Sequence, residues 1–570
     1  MVEQPNPSVA CYARSVLQVN RDQLQVAAHA PGTAAHARLN KALVGSAPVL
    51  IGIMGFAMAF HPTLLSGLRQ MQYDEGDTRF LLYALEHSFL WVSRAPHHLA
   101  FWDPPFYFPA PNAAAYSETM LSLAPFYWAW RLLGWGPDTA FQLWMLTLGA
   151  LNFVACHLFL RRVLGSSSVG AACGAFLFSF AALRINQLGH EQLLAHFYSL
   201  AAVFCAWKVV APPPERPKKR ETGHVFAFFG FWVLQVYAGF YWGWFLALAL
   251  GIATLLGLAS KTSRGWLLSA VRRNAGATAG GLGLSAALLT PFYSHYSRAS
   301  AQVGFRKFDE VLAMLPRPAS FLDMGPFSWL YGRTSQWIVF RELPLEWEHR
   351  LGLGVFSALV VGAGLLLGWR RPLIRVSALT VALILLLAVY FPQGVTAWHL
   401  IYTWVPGGMA LRTVSRVGIF LLFPAALAIA TLVDHPGRGG RRWAVYGGVF
   451  LALSEQGLTT PSYDKAAVRA RVHALAQSVA SSCAAFIYLP PAGYLGADQS
   501  NLDAMLASLE RGIPTLNGYS GNHPPGWELE EPHLYSPMVL KERATWVQRW
   551  QQLHPSPPMH PICWAAGGTP

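Results

Sequence analysis

Charged residues are scarce in this chain of 570 residues, where they make up 12% of the total. A typical soluble protein carries about 25% charged residues. Hydrophobic residues make up 54% of the chain, and its mean hydropathy is +0.33. This composition excludes a disordered chain and an ordinary soluble domain, and it predicts a polytopic membrane protein.

Several common catalytic motifs are absent as well. The sequence has no Walker loop, no G-x-S-x-G elbow, no H-E-x-x-H helix and no C-x-x-C pair. These absences argue against nucleotide hydrolysis, serine hydrolysis and zinc proteolysis. Cysteine is rare, but Cys483 and Cys563 share the C-terminal region. A disulfide between them is chemically allowed if that region lies in an oxidising compartment.

The net charge of +14 comes from short basic clusters that lie between apolar runs. This distribution follows the positive-inside rule of membrane proteins, so we do not expect a nucleic-acid partner. It places the N-terminus in the cytoplasm and the C-terminus outside the inner membrane. Eleven spans are predicted, near residues 44–60, 140–160, 168–183, 191–210, 224–239, 241–260, 275–291, 351–369, 374–391, 417–433 and 443–457.

These spans divide the chain into three parts. We expect a disordered cytoplasmic tail over 1–43, an α-helical membrane domain over 44–457 and a small extracytoplasmic α/β domain over 458–570. The membrane domain carries two large outer loops, 61–139 and 292–350. The segment 117–133 within the first of them is predicted to be interfacial or re-entrant rather than spanning.

The first outer loop opens with three acidic residues, Asp74, Glu75 and Asp77. Neighbouring carboxylates repel one another unless a cation lies between them, and oxygen ligands of this kind suit Mg²⁺ or Mn²⁺. Asp77 is also a candidate general base. The alternative is that Asp77 caps the following helix. Glu75 is expected to face solvent.

Three further residues of the outer loops are candidates for the same chemistry. Asp103, beside Trp102 in a stretch rich in aromatic residues and proline, either orients a substrate or metal or caps a turn. His190 and Glu191 lie between two spans, where they could bind a metal or transfer protons. The alternative for Glu191 is a favourable interaction with a helix dipole.

Two arginines and a glycine-rich loop complete the set of candidates. Because they are four residues apart, Arg412 and Arg416 are predicted to lie on one helix face. They are also predicted to lie outside, where arginine is disfavoured, so they are candidate phosphate ligands. The alternative is that they reach lipid headgroups. In the C-terminal region, Asn517, Tyr519 and His523 lie in a predicted turn and could contact a sugar or an acceptor.

With these residues located, the chain resembles bacterial members of the GT-C superfamily of integral-membrane glycosyltransferases. The stretches that carry the resemblance are YDEGDTRFLLYALEH, FWDPPFYFPAPNAAAYSE, QLGHEQLL, PGGMALRTVSR and NGYSGNHPP. The resemblance implies transfer of a sugar from a polyprenyl-phosphate carrier to a lipid, glycan or protein acceptor at the outer face of the membrane.

The resemblance also implies roles for individual residues. Asp77, with Asp74 as the alternative, corresponds to the catalytic base or metal ligand of the first loop. His190 and Glu191 occupy the place of a second acidic motif, but no D-x-D pattern is present there, so a requirement for Mg²⁺ or Mn²⁺ is left open. Arg412 and Arg416 would hold the carrier phosphate.

The sequence therefore predicts an inverting glycosyltransferase with Asp77 as base. Asp103, His190 and Glu191 are candidate metal ligands with it, and Trp102, Asn517, Tyr519 and His523 are candidate contacts to the sugar or acceptor. The rival interpretations are a transporter or flippase, a scaffold in envelope assembly, and a degenerate transferase that binds a lipid-linked sugar without turnover. The transporter class predicts polar residues at mid-bilayer in internal repeats, and few such residues are present.

Overall fold

The computed structural model describes residues 31–211, 218–490, 496–530, 540–555, 557, 559 and 561–565. The first thirty residues of the predicted N-terminal tail and part of the basic cluster 216–220 lie outside these ranges. The helices of eight or more residues are Pro31–Leu65, Asp77–Val92, Ala124–Leu132, Pro137–Phe159, Ser168–Phe180, Phe197–Val210, Lys218–Ala238, Phe240–Ala259, Lys261–Arg273, Ala275–Val303, Val355–Gly368, Pro372–Ala388, Val414–Leu421 (a 3₁₀ helix), Leu422–Asp434, Gly440–Ser454, Lys465–Ser478, Ala497–Arg511 and Leu540–Leu553.

The shorter elements connect these helices. The short helical segments are Ala113–Tyr116, Leu160–Leu164, Ala182–Ile185, Glu191–Leu194, Phe308–Ala313, Pro318–Phe321, Thr334–Gln336, Ile338–Arg341, Glu346–His349, Trp398–Trp404 and Gly408–Ala410. The strands are Gln70–Gln72, Ser462–Asp464, Ala485–Ile487 and Ile562–Trp564.

The prediction of a helical polytopic membrane protein is confirmed. In the described part of the chain, seven helical segments are long and apolar enough to cross a membrane: Gly45–Leu65, Pro137–Leu164, Ser168–Ile185, Glu191–Val210, Phe240–Ala259, Ala275–Val303 and Val414–Asp434. Val355–Gly368 and Pro372–Ala388 are shorter apolar helices. Helices also occupy the two remaining predicted spans, and the count of eleven stays a prediction.

Small residues hold the centre of the bundle together. A Cβ atom at Gly174 would lie 2.5 Å from the carbonyl oxygen of Ala426, and one at Gly364 would lie 2.2 Å from that of Ala428. The two glycines therefore let their helices approach the helix Leu422–Asp434 from two sides. Such close approach is the usual basis of helix packing in a membrane, where apolar burial alone does not drive association.

The C-terminal region contains the predicted mixture of helices and strands. Ala485–Ile487 and Ile562–Trp564 pair in parallel, and Thr515 adds a parallel bridge to Phe486. Cys483 and Cys563 form a disulfide at the edge of this sheet, with their Cα atoms 5.8 Å apart.

A second ladder joins this region to the membrane domain. Gln70–Gln72, at the start of the first outer loop, pairs antiparallel with Ser462–Asp464. The ladder places the C-terminal region directly against the residues that follow the first span.

The segment 117–133 forms turns followed by a helix of nine residues, Ala124–Leu132. At 1.5 Å per residue this helix is about 13 Å long, which is well short of the roughly 30 Å of a hydrocarbon core.

Candidate functional site

A polar cavity of about 280 Å³ lies where the first outer loop, the connection at 189–192 and the segment 409–416 meet. We call it the polar cavity. Its ionisable side chains come from five separate parts of the chain: Asp77, Glu118, His190, Arg306, Arg412 and Arg416. Aromatic rings form much of the remaining wall: Phe80, Tyr116, Phe240, Tyr241, Phe292, Tyr296 and Phe305.

Asp77 begins the helix Asp77–Val92 and extends its side chain into the polar cavity. Its Oδ1 accepts a hydrogen bond from the hydroxyl of Tyr519 at 2.8 Å, and its Oδ2 lies 3.1 Å from Nε2 of His190. Gly76 is the N-cap residue, and no side chain caps this helix. The alternative interpretation of Asp77 as a capping residue is therefore wrong, because its carboxylate faces other partners.

The pKa values of Asp77 and His190 shift in opposite directions. Burial raises the pKa of Asp77, although the hydrogen bond from Tyr519 and the charges of Arg416 and Arg412 oppose the rise. Burial and the charge of Arg416 lower the pKa of His190 to about 3. At neutral pH the imidazole is thus uncharged, and we assign its Nε2 proton to the hydrogen bond with Asp77.

The other two acidic residues of the first-loop cluster lie close to Asp77 but point elsewhere. Asp74 accepts a hydrogen bond from the backbone N–H of Gly76 at 2.8 Å, which shapes the turn before the helix. Glu75 does not face solvent freely as expected, because its Oε2 accepts from Nη2 of Arg471 at 2.6 Å. Arg471 also pairs with Asp503, so Glu75 helps to join the loop to the C-terminal region.

Arg416 lines the polar cavity but already has an acidic partner. Its guanidinium donates to Glu348 Oε1 at 2.8 Å and lies over the ring of Tyr241. Burial by itself raises the pKa of Glu348, but the charge and hydrogen bond of Arg416, together with smaller effects of His190 and Arg412, outweigh burial and hold that pKa below its usual range. Arg416 therefore presents a partly neutralised positive charge to the cavity.

Arg412 is held by its backbone rather than by its side chain. Its backbone N–H donates to the hydroxyl of Tyr241 at 3.0 Å. Among the described residues, no hydrogen-bond or ion-pair partner is recorded for its guanidinium. Arg412 precedes the 3₁₀ helix Val414–Leu421, so the two arginines do not share one helix face as their spacing predicted. Both nevertheless reach the polar cavity.

Arg306 is a third cation of the polar cavity, which the sequence reasoning missed. It follows the end of the helix Ala275–Val303, and its Nη2 donates to the carbonyl oxygen of Gly521 at 2.6 Å. Glu310 lies 3.8 Å from its Nη1. A signal was present in the sequence, since Arg306 is an arginine in a predicted outer loop, as Arg412 and Arg416 are.

Glu118 is a second carboxylate in the polar cavity that the sequence reasoning did not select. Its Oε2 accepts from Gln192 at 2.8 Å, and its Oε1 is buried without a hydrogen-bond partner. Burial raises the pKa of Glu118, although the hydrogen bond from Gln192 opposes the rise. It ends the stretch rich in aromatic residues and proline that contains Trp102 and Asp103.

Glu191 lies next to His190 but does not line the polar cavity. It is fully buried, and its Oε1 accepts from the hydroxyl of Thr78 at 2.8 Å and from the backbone N–H of Gly189 at 3.3 Å. Its second oxygen, Oε2, is buried and has no recorded partner. Glu191 thus supports the connection that presents His190.

Trp102 and Asp103 lie outside the polar cavity and anchor the aromatic stretch. Asp103 accepts from the backbone N–H of Asn112 at 2.6 Å, so its carboxylate joins two parts of the stretch that are nine residues apart. Trp102 stacks on the ring of His295 at a centroid distance of 4.0 Å. The side chain of Asn112 also bonds to His295. These contacts attach the stretch to the helix Ala275–Val303.

The three C-terminal candidates have different positions. Tyr519 bonds to Asp77, and the following residues Gly521 and Asn522 line the polar cavity. Asn517 is fully buried, where its amide bonds to the backbone of Tyr488. His523 packs beside Trp527 with Glu530 4.0 Å away. The loop therefore reaches the site through Tyr519 and its neighbours.

The candidate metal ligands are not gathered into one set. Asp103, His190 and Glu191 have separate partners, as given above. Within the part of the chain that the structure describes, no group of three or more His, Cys, Asp or Glu side chains is arranged to hold a metal ion.

Comparisons with known proteins find similarity in structure but not in sequence. The chain matches no family model, and no curated protein matches it. The crystal structure of ArnT from Cupriavidus metallidurans in the apo state is similar over 84% of this chain and 86% of that chain, with 13% identity and a TM-score of 0.35. At this TM-score the two chains superpose only loosely.

Proposed function

We propose that this protein is a membrane glycosyltransferase. It moves a sugar from a polyprenyl-phosphate carrier to an acceptor hydroxyl at the outer face of the inner membrane. The observation that carries the proposal is the polar cavity, which combines the Asp77–His190 pair with three arginines. A candidate base and a cluster of cations in one hollow suit the departure of a phosphate from a sugar.

The proposed reaction is a single displacement. The acceptor oxygen attacks the anomeric carbon, and the proton of the acceptor hydroxyl passes to Asp77. The bond between the anomeric carbon and the phosphate oxygen breaks, and its electron pair leaves with the lipid phosphate. Because attack and departure occur on opposite faces of the carbon, the configuration inverts.

The arginines would stabilise the negative charge that develops on the phosphate. Arg412 is the best placed of the three, because its guanidinium has no recorded partner among the described residues. Arg306 would add a second charge, while Arg416 shares its charge with Glu348. Charge-assisted hydrogen bonds from arginine to phosphate are strong and geometrically specific, so these residues would also orient the carrier.

His190 and Tyr519 would act as positioning residues for the base. Each holds one oxygen of Asp77. Because the pKa of His190 is about 3, its imidazole is uncharged at neutral pH. It is therefore not a cationic acid that would protonate Asp77. The raised pKa of Asp77 makes its carboxylate a stronger base than an exposed one.

The residues of the polar cavity do not form a metal site of the expected kind. Glu191 and Asp103 lie outside the cavity, and among the described residues no group of three or more His, Cys, Asp or Glu side chains is arranged to hold a metal ion. The proposed step therefore uses this chain's own residues and includes no metal. Adding Mn²⁺ to EDTA-treated protein tests this point, and we expect the turnover to be unchanged.

The disulfide between Cys483 and Cys563 supports the placement of the C-terminal region. Disulfides persist in oxidising compartments and are rare in the cytosol. An extracytoplasmic C-terminal region would bring the polar cavity to the outer face, because Tyr519 of that region contacts Asp77. Lipids, glycans and proteins at that face are the proposed acceptors.

The test is direct. Purified protein in lipid nanodiscs is incubated with a panel of polyprenyl-phosphate sugars and candidate acceptors, and the release of polyprenyl phosphate is measured. We expect release with at least one donor and none with Asp77→Asn. Movement of intact donor across vesicles without release would instead identify a flippase. Binding without either event would identify a degenerate transferase.

A further inference from the structure

The segment 321–347 in the second outer loop exposes several large apolar side chains, and we call it the tryptophan segment. Its large apolar side chains point outward, with Trp329 58%, Trp337 61%, Ile338 71% and Trp347 52% exposed. Leu322, Leu330 and Val339 are exposed too. In water, so many exposed apolar side chains in one short segment would be unfavourable.

Three polar side chains of the tryptophan segment point inward. Asp323 is buried, and its Oδ1 accepts from the hydroxyl of Ser335 at 2.5 Å and from the backbone N–H of Gly325 at 2.9 Å. Ser328 is also buried and accepts from the backbone N–H of Tyr331 at 3.1 Å. The outward face therefore combines large apolar side chains with a few exposed polar and charged ones, which are Arg333, Gln336, Arg341 and Glu342. Such a mixture is typical of a segment at the interface between lipid and water.

The outward face of the tryptophan segment is continuous with the membrane-facing surface. The ring of Trp329 lies 6.1 Å from that of His61, near the end of the span Gly45–Leu65. That end exposes Leu64 and Leu65. The indole N–H of Trp329 donates to the hydroxyl of Thr459 at 2.7 Å, just beyond the helix Gly440–Ser454.

The apolar helix that follows the segment is too short to cross a bilayer alone. Val355–Gly368 has 14 residues, or about 21 Å of helix against roughly 30 Å of hydrocarbon core. Tyr331 attaches the segment to the start of this helix, because its hydroxyl accepts from the backbone N–H of Val355 at 3.2 Å and donates to Glu455 at 2.8 Å. The tryptophan segment thus lies at this end of the helix, where the helix alone does not reach the edge of the hydrocarbon core.

We propose that the tryptophan segment is embedded in the outer interface of the lipid bilayer. Trp329, Trp337 and Trp347 would lie at the level of the headgroups, where tryptophan is enriched in membrane proteins. Ile338 and Val339 would reach the upper acyl chains. The exposed guanidinium groups of Arg333 and Arg341 would extend to lipid phosphates.

The placement links the bilayer to the polar cavity. Glu348 follows the tryptophan segment directly and pairs with Arg416. Contact with lipid would therefore set the position of an ion pair in the wall of the cavity. The membrane placement itself does not depend on the proposed function, and the experiment below involves no turnover.

The experiment measures the depth of a spin label in the bilayer. A nitroxide is attached to Ile338→Cys in the full-length protein, in nanodiscs of phosphatidylcholine and phosphatidylglycerol. Relaxation by oxygen, which concentrates among acyl chains, is compared with relaxation by an aqueous nickel chelate. Lys541→Cys is the control in water, because Lys541 is exposed in the C-terminal region, and Leu366→Cys is the control in lipid.

We expect the Ile338 label to resemble the Leu366 label, with oxygen more effective than nickel. A nickel accessibility equal to that of the Lys541 label would overturn the proposal. Nanodiscs with one and with two copies of the protein are also compared. If the nitroxide spectrum is strongly broadened with two copies but not with one, a second chain covers the segment, and the proposal is overturned.

A second measurement uses no cysteine. In nanodiscs that contain brominated lipids, Trp337→Phe is expected to lower the fraction of tryptophan fluorescence that bromine quenches. The matched control is Trp546→Phe, because Trp546 is buried in the C-terminal region. Equal quenching of the parent protein and Trp337→Phe would contradict the proposal.

Discussion

Two cavities among the described residues have the same size and opposite chemistry. The polar cavity and an apolar cavity each enclose about 280 Å³. Membrane helices line the apolar cavity, with residues such as Leu200, Val203, Leu250 and Phe423. Loops outside the spans supply Asp77, Arg306 and Arg412 to the polar one. Volume therefore does not identify the candidate site, but the charge of the lining residues does.

The physical reason is the cost of placing charge in a membrane. Ionisable residues within a bilayer are expensive unless they are paired, so a cavity between spans is lined mainly by apolar groups. Arg184, at the wall of the apolar cavity, donates to the carbonyl oxygens of Phe178 at 2.8 Å and Leu194 at 3.1 Å. Its charge is thus directed at backbone groups. Loops carry no such restriction and can gather several charges.

The largest expected effect comes from Asp77→Asn. Removing a general base typically costs between about 100-fold and 10,000-fold in rate, so we expect the release of polyprenyl phosphate to fall by at least about 100-fold. Donor affinity, measured by equilibrium binding, should be unchanged. The matched control is Asp138→Asn, because Asp138 lies outside both cavities and pairs with Arg469. Full activity of Asp77→Asn would exclude Asp77 as the base.

The next effect is on donor binding. A charge-assisted hydrogen bond contributes about 1.5–3 kcal/mol, so Arg412→Ala should raise the KM for the donor by roughly 10-fold to 100-fold. Arg438→Ala is the control for loss of an exposed arginine. If both variants change KM equally, the polar cavity is not where the phosphate binds.

A smaller effect concerns pH. Turnover needs ionised Asp77, so activity should fall as the pH drops through the pKa of its carboxyl group. The hydroxyl of Tyr519 stabilises the carboxylate and lowers that pKa. Tyr519→Phe should therefore move the acidic limb of kcat/KM to higher pH, by about one unit. The profile is compared with Tyr293→Phe, which removes an exposed hydroxyl. A shift to lower pH would contradict the assigned hydrogen bond.

The smallest effect is expected in the apolar cavity. Ala253→Leu partly fills it without touching the polar cavity. We expect kcat/KM to change by less than about twofold, as in Ala286→Leu on an exposed helix face. A loss of tenfold or more in Ala253→Leu alone would mean that the apolar cavity takes part in binding the donor. The assignment of donor binding to the polar cavity alone would then be wrong.

Parts of the candidate site were predictable from single residue patterns. Asp77 stood out because acidic residues are few and three of them cluster after the first span. Arg412 and Arg416 stood out because they contradict the charge bias of membrane proteins. Arg306 carried the same signal, but it is 106 positions from Arg412 and nothing in its local pattern indicated a shared cavity.

Other roles could not be read from local patterns. Asn517 and Tyr519 lie two positions apart in one turn-rich stretch, yet Asn517 is buried in the C-terminal region and Tyr519 bonds to Asp77. Asp103 and Asp77 both belong to the predicted first outer loop, but Asp103 bonds to the backbone of Asn112 and Asp77 faces the cavity. The direction of each side chain depends on the elements packed around it.

The amino-acid sequence by itself determined that this is a helical membrane protein, because the length and apolar content of each run are local properties that the bilayer selects. It also determined which residues carry unusual charge. Only the tertiary structure decided which of those residues meet, since Asp77, His190, Arg412 and Tyr519 are brought together by the packing of loops against the C-terminal region. Contacts across hundreds of positions depend on the whole fold and leave no local periodicity in the chain.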